Sequence, residues 1–439
     1  MGNKNKLYLI ALASTALVLF FIFISSTASA VPPTITETRI IAHDSYQGMP
    51  DIYGNRIVWE DYRNGENYYD FTGNPDIYMY DISTSKETQI TTNDSAQWSP
   101  VIYGNMIVWQ DYRNGNWDIY IFDVSTKKET HTTNGADQIR PDINGDRVVW
   151  LDGRDSGGYL SIDGAGGNFD IYMQNLTTKK QTRIATTESL KIDLAIYGNL
   201  VVWLDGRNGD GSEERTNHNW DVYMYDLSTK KETRLTTSGS AESPAIYGNR
   251  IVWDEVRNEN RDIYMYDLST KKETRITTNE SDSYYPAIYG NNIVWSDDRN
   301  GNWNIYVYDL SSHQQSFTTS GSNKWSPAIY GNRIVWRDDL NGISNIYMGI
   351  LGSGSSAPIA SFSASPRSGK ASLKVQFTDK STNSPTSWKW SFGDGKYSTS
   401  KSPAHIYSKA GKYNVSLTVK NAKGSNTKTM SGYIVVSKK

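Results

Sequence analysis

One phrase recurs seven times along this 439-residue chain, and it constrains the fold more than any other feature. In consensus it reads P-A-I-Y-G-N-R-I-V-W-x-D-x-R-N-G-N-x-D-I-Y-M-Y-D-L-S-T-K-K-E-T-R-I-T-T, with its tryptophan at Trp59, Trp109, Trp150, Trp203, Trp253, Trp295 and Trp336. Successive tryptophans lie 50, 41, 53, 50, 42 and 41 residues apart. A period of about 40 to 50 residues holding four β-rich runs is that of a propeller blade, which cannot bury its faces alone and must stack on its neighbours. Composition agrees: 30 Tyr, 14 Trp and 35 Gly at only 37% hydrophobic residues suit many short strands joined by polar turns.

The four strands can be read from each repeat. P-A-I-Y is strand A, and Tyr-Gly-Asn turns into strand B, I-V-W, because Gly and Asn tolerate positive φ. The R-N-G-N loop leads to strand C, D-I-Y-M-Y-D, and the charged, threonine-rich K-E-T-R-I-T-T is an outermost strand D. Six D strands follow a complete C strand, around Glu87, Glu129, Gln181, Glu232, Glu273 and Gln314, whereas the seventh blade stops at Leu351 without one. The missing strand stands at the other end as Glu37-Thr-Arg-Ile-Ile41. Pairing it with the last blade predicts an all-β, seven-bladed propeller over residues 34–351, closed by its N-terminal strand.

The repeat resembles that of the TolB-like, PD40-type propellers, carried most clearly by Asp111-Tyr-Arg-Asn-Gly-Asn-Trp-Asp-Ile-Tyr120 and Asp297-Asp-Arg-Asn-Gly-Asn-Trp-Asn-Ile-Tyr306. The resemblance implies the fold; members of that group serve as docking platforms, lectins, lyases and appendages of peptidases, so it leaves function open.

A linker at residues 352–357 separates the repeats from a second pattern over residues 358–439, where alternating strands such as Leu373–Phe377 and Tyr413–Val419 predict a small immunoglobulin-like β-sandwich. Trp388-Lys-Trp-Ser-Phe-Gly-Asp-Gly395, Pro403-Ala-His-Ile-Tyr407 and Gly411-Lys-Tyr-Asn-Val415 resemble the W-x-F-G-D-G, P-x-H-x-Y and G-x-Y-x-V landmarks of PKD domains. That resemblance implies an extracellular spacer or adhesive module, and its pairing with a propeller is similar to archaeal cell-surface and surface-layer-associated proteins. Asp394 and His405 read as a turn residue and a packed imidazole.

Lys4 and Lys6, the apolar run Leu7 to Ile24, and the small residues ending in Ala28 and Ala30 form an export signal over residues 1–30, with cleavage expected after Ala30. The run is near the minimum for a membrane span, so an uncleaved N-terminal anchor is the alternative and the only membrane attachment in view. With no cysteine, disulfides, thiol catalysis and Cys-ligated zinc are excluded. Asn93, Asn175, Asn279 and Asn414 head N-glycosylation sequons. A net charge of -2 gives no field for nucleic acid.

Each repeat pairs a carboxylate two residues after its tryptophan with an arginine two further on, as Asp61 with Arg63, except that Leu340 replaces the last arginine. A catalytic site needs one such arrangement, so seven argue for scaffold. Function is better sought where blades differ. Long B–C loops at Glu66–Pro75, Asp155–Asn168 and Asp210–Asn219 fall on one face, with the D–A loops. There Trp98, Arg140, Asp193, Glu242, Tyr284, Tyr285 and Trp325 stand near the channel mouth, joined by Trp117, Trp220 and Trp303 of the B–C loops. Rings mixed with charges suit a sugar or a peptide. Lysine pairs in the opposite turns, such as Lys127 with Lys128 and Lys230 with Lys231, read as solvated.

No resident cofactor is expected; the Asp152–Gly158 and Ser161–Asp170 stretches have oxygen ligands for calcium but not the spacing of a dedicated loop. Of five histidines only His43 and His218 fall on the loop face, too few for the metal centre of a propeller polysaccharide lyase, and no hydrolase motif accompanies the repeats. The sequence therefore predicts a non-catalytic surface protein that binds an envelope glycan or a surface protein, with a carbohydrate-active enzyme as the alternative.

Overall fold

The computed structural model describes residues 35–439, apart from 42, 65–73, 156–158, 162–163, 167, 186, 210–218, 258, 320, 341, 352–357, 382–384, 422–423 and 439. The export signal and the interdomain linker thus lie outside the described residues. Among those described, regular structure is strand alone.

Seven four-stranded antiparallel sheets carry the seven repeats. Their inner strands are Gln47–Tyr53, Gln97–Tyr103, Gln138–Asn144, Lys191–Tyr197, Ala241–Tyr247, Ser283–Tyr289 and Asn323–Tyr330. Each packs against the inner strands of both neighbours, the last against the first, so the sheets form a closed ring. In the last sheet the outer strand is Ile35–Arg39, paired antiparallel with Ile343–Leu351 from Ile35↔Leu351 to Arg39↔Tyr347. The expected closure by the N-terminal strand is therefore present, and the fold is a seven-bladed β-propeller.

Burial follows from stacking sheet on sheet. Strand B is apolar on both sides because each blade has a neighbour on each face. Val58, Ile77 and Met79 of blade one pack on Ile107, Trp109 and Tyr120 of blade two, and Trp59 packs on Val335 and Met348 of blade seven. All seven repeat tryptophans are fully buried. The A–B turns place glycine at φ between 59° and 65° (Gly54, Gly104, Gly145, Gly198, Gly248, Gly290, Gly331), a region where a side chain would be strained; the asparagine beside it does not share it. In the C–D turns the first lysine of each pair takes that conformation, as at Lys127, Lys179, Lys230 and Lys271. An aspartate closes such a turn, with Asn175 in its place in blade three: Asp123 accepts from the Ser125 amide at 2.9 Å and its hydroxyl at 2.6 Å, and Asn175 from the Thr177 amide at 3.0 Å.

The C-terminal residues form a sandwich of a three-stranded and a five-stranded sheet. Trp390, Phe377, Phe392, Tyr407, Leu417 and Ile434 fill the space between them.

Candidate functional site

The repeated carboxylate is architecture in every blade. The Trp59 indole N–H donates to Asp61 Oδ2 at 3.0 Å, and Arg63 Nη2 donates to the same oxygen at 2.5 Å. The guanidinium lies 4.0 Å above the Tyr78 ring and reaches Glu87 of strand D at 2.6 Å. One arginine thus ties strands B, C and D together. Burial alone would raise the Asp61 carboxyl, but the bonds from Arg63 and Trp59 overcome it and hold it below the usual carboxylate range. The arrangement recurs through Arg113, Arg154, Arg207, Arg257 and Arg299, each 4.0–4.2 Å from its tyrosine. Blade seven, lacking the arginine, sets the buried ammonium of Lys324 3.7 Å from Asp338.

What shapes the loop face is a bulge that the repeat does not announce. Every inner strand shifts register against strand B after its second residue, or after the third in the longer strand of blade seven. The residue that follows (Met49, Ser99, Arg140, Asp193, Ser243, Tyr285, Ser326) takes φ between 46° and 56°. In six blades proline comes next, at Pro50, Pro100, Pro141, Pro244, Pro286 and Pro327. Proline cannot donate to a ladder and inside a sheet belongs at bulges, which was the readable signal. Bulge amides reach across to the preceding blade: Ser99 N–H donates to Glu60 at 2.6 Å, Arg140 N–H to Gln110 at 2.8 Å and Tyr285 N–H to Asp254 at 3.3 Å.

Two groups of candidate side chains meet on these bulges. In blades five to seven, Trp303 and Trp325 are in contact at 4.5 Å between ring centroids, Tyr284 meets Trp303 edge-on at 5.3 Å, and Tyr285 meets Trp325 at 6.5 Å. Tyr285 is exposed and the other three are half-buried. Beside them Arg261 donates to Asp254 at 2.7 Å and to Glu242 at 3.0 Å, with its guanidinium 5.0 Å over Tyr284. Burial raises the Asp254 carboxyl to about 6, against the pull of Arg261.

In blades two and three, Trp98 stacks on Trp117 at 4.7 Å with Tyr112 beside it at 5.2 Å, while Arg140 pairs with Asp193 of blade four. Two candidates are corrected. Trp117 and Trp220 are each only 6% exposed and belong to inter-blade cores. Trp117 N–H donates to Asp137 at 3.0 Å, and Trp220 N–H to the Gly239 carbonyl at 2.9 Å. They support the face without offering a surface to a ligand.

Further along the inner strands, Asp51 and Asp142 keep some surface toward the lumen while protein encloses them. Asp51 accepts from Ile52 and Ile102 N–H groups, both at 2.8 Å, and Asp142 from Ile143 and Ile196 at 2.8 and 2.7 Å. Burial outweighs those bonds and raises the carboxyls to about 6 and about 7. Two residues on, Tyr103, Tyr53, Tyr330, Tyr289, Tyr247 and Tyr197 run ring to ring at 4.5–4.8 Å, with Asn144 in the seventh place. This iris narrows the channel at the end away from the bulges.

The sandwich is recognisable on its own. Residues 355–436 match the family model described as the PKD domain. The C-terminal unit is a PKD domain. A 67-residue stretch of the chain is 40% identical to collagenase ColA of Bacillus cereus, covering 14% of this chain and 7% of the collagenase. The chain thus spans a small fraction of that relative. For the propeller, similar solved structures are the propeller domain of the trilobed protease of Pyrococcus furiosus (12% identity, TM-score 0.53, 70% of this chain and 94% of that one) and an oligogalacturonate lyase in complex with manganese (13%, 0.52, 73% and 97%). At such identities they share the fold alone. The PKD domain and the collagenase match point to an extracellular module.

Within the PKD domain His405 lies parallel on Phe392 at 4.1 Å and bonds Asp394 at 2.8 Å, while Tyr407 donates to the Phe392 carbonyl at 2.9 Å. These landmarks are packing. Among the sequons, the Asn93 amide nitrogen is buried and Asn175 donates to Asp146 at 2.6 Å; Asn279 bonds Ser281, and Asn414, on the PKD domain, is exposed. Most of the long B–C loops of blades one and four, with His218, lies outside the described residues, as do residues 156–158, 162–163 and 167 of the loop in blade three, where Tyr159–Ser161 pairs with Gly164–Gly166. Of the calcium candidates, Asp152 is held by Arg154 at 2.6 Å and Asp170 by Arg183 at 2.5 Å. Among the described residues no group of three or more His, Cys, Asp or Glu could hold a metal ion.

Proposed function

We propose that this is an exported cell-surface binding protein whose propeller takes up an envelope glycan on its bulged face, without catalysis, and whose PKD domain spaces or docks it. The observation that supports this reading is the four-ring wall of Tyr284, Tyr285, Trp303 and Trp325, flanked by Glu242 and Arg261. Apolar ring faces stack on the C–H faces of a sugar while polar neighbours orient its hydroxyls. The rings come from two blades and one loop, and all sit on the face where the blades diverge in sequence. Trp98 with Arg140 and Asp193 provides a second contact on the same face.

Glycan-array binding by the exported chain tests the reading. Binding that falls at least tenfold in Trp325→Ala, with an unchanged melting temperature, supports it. Full retention of binding in that variant and in Trp98→Ala removes the face, and release of unsaturated sugars from a bound polysaccharide replaces binding with lyase chemistry.

A further inference from the structure

The charges around the four-ring wall say what kind of glycan it suits. Two cations stand there among the described residues, Arg261 and Arg337, and both already face carboxylates. Arg261 directs one amine to Asp254 and the other to Glu242. Arg337 grips Asp339 through Nε at 3.1 Å and Nη2 at 3.2 Å, and its remaining amine meets the Tyr46 hydroxyl. An anionic sugar would have to displace one of these bonds. Negative charge, by contrast, is in excess. Glu242 has a half-exposed side chain, and Asp282, which accepts from the Arg261 amide at 2.8 Å, adds a further carboxylate.

The field also reaches the exposed ring. Burial raises the Tyr285 hydroxyl, and the charges of Asp254 and Glu242 raise it further against Arg337, which places both carboxylates within Coulomb range of its oxygen. A protonated amine held over this wall would meet ring faces and carboxylates together, the combination that attracts organic cations.

We infer that the bulged face of blades five to seven selects a saccharide bearing protonated amines and rejects uronate-type acidic sugars, through Glu242 acting beside Tyr285 and Trp325. This rests on the glycan reading of the same face and adds its charge class.

Calorimetry on the exported chain separates the two. Three oligosaccharides are compared at mildly acid pH: a chitosan oligomer with free amines, its fully N-acetylated counterpart, and an oligogalacturonate. The inference expects the chitosan oligomer to bind roughly tenfold tighter than the acetylated one, oligogalacturonate not to bind, and Glu242→Gln to abolish the preference by weakening the chitosan oligomer about tenfold more than the acetylated one. Equal binding of the two chitin-type oligomers, lost in Trp325→Ala, would keep the glycan reading and overturn the charge selection. So would a preference for amines that Glu242→Gln leaves intact, or tighter binding of oligogalacturonate. If none of the three binds and a lysine-rich peptide does, the saccharide assignment falls with it.

Discussion

Arg333 Nη1 donates to Asn55 Oδ1 at 3.0 Å and to the Gly54 carbonyl at 3.1 Å, joining the last blade to the A–B turn of the first. Arg56 makes the same contact to Asn105, Arg147 to Asn199 and Arg250 to Asn291, at 2.6–2.9 Å. The closing interface is thus built like the internal ones. Its distinctive element is the borrowed strand Ile35–Arg39, whose Glu37 pairs with Gly349 of the last blade. A Cβ there would lie 2.7 Å from Ile35 Cγ2 and 2.8 Å from Trp336 Cζ3. Gly349→Val should therefore push the N-terminal strand off the last sheet and lower propeller stability by about 1–3 kcal/mol. Calorimetry would read this as a lower propeller transition with the PKD transition unmoved, and an unchanged propeller transition would mean the strand adds nothing to closure.

Asp297 tests the repeated network. It is fully buried and accepts from Trp295 at 3.1 Å and from Arg299 at 2.5–3.0 Å. Asp297→Ala strands a guanidinium and an indole N–H beneath the blade surface, and should cost about 3–5 kcal/mol in denaturant unfolding. Blade seven shows how the same carboxylate is accommodated without arginine, through Lys324 at the inner-strand position that Ser283 holds in blade six. Arg299→Leu alone should destabilise, and adding Ser283→Lys should recover part of the loss. A double variant no better than Arg299→Leu would show that the lysine does not substitute for the missing arginine.

Much of this was readable in the sequence because the residues that repeat are the ones that hold a blade. Trp59 and its six equivalents could be assigned to the core, and Asp61 with its equivalents to scaffold, since seven copies cannot each be a reaction centre. Strand count alone located the closing partner of Ile343–Leu351. The candidate site was legible only as a set of unusual residues on one face. That Trp303 meets Trp325, or that Arg140 meets Asp193, depends on distances between blades, which a linear pattern does not carry. Trp117 and Trp220 look like Trp303 in sequence, each following asparagine in a B–C loop, but two of the three pack into inter-blade cores and the third stays half-buried. The bulge had a signal in the strand prolines, yet its consequence for side-chain direction had none.

Enclosed carboxylates, Asp254 among them, make stability depend on pH. Burial raises Glu60 and Asp142 to about 7 and Asp51 to about 6, above the values they would have unfolded. A folded state that holds protons more tightly is favoured at low pH, so this contribution is fully present below the unfolded values near 4 and is lost as pH rises through 6 to 7. Each group should contribute up to about 1.4 kcal/mol per pH unit to the decline across that window. Asp142→Asn should flatten the fall in melting temperature between pH 5 and pH 8. A slope as steep as in the parent protein would mean that Asp142 is ionised in the folded channel throughout.

Two glycines in the PKD landmark G-D-G separate backbone strain from steric conflict. Gly393 and Gly395 have nearly the same φ, 84° and 85°. A Cβ on Gly395 meets nothing within 4 Å, whereas on Gly393 it would lie 2.4 Å from the Asn414 carbonyl oxygen and 2.9 Å from its nitrogen. Those are backbone atoms of the central strand Gly411–Asn421, held in register by pairs such as Val415↔Met430, and cannot swing aside as a side chain would. Gly395→Ala should cost only the conformational penalty, about 1 kcal/mol. Gly393→Ala should cost several times that and detach the loop that presents Asp394 to His405, so the PKD transition drops sharply while the propeller transition stays. Equal losses in the two variants would show that left-handed strain alone, and not the approach to Asn414, fixes glycine at the first position.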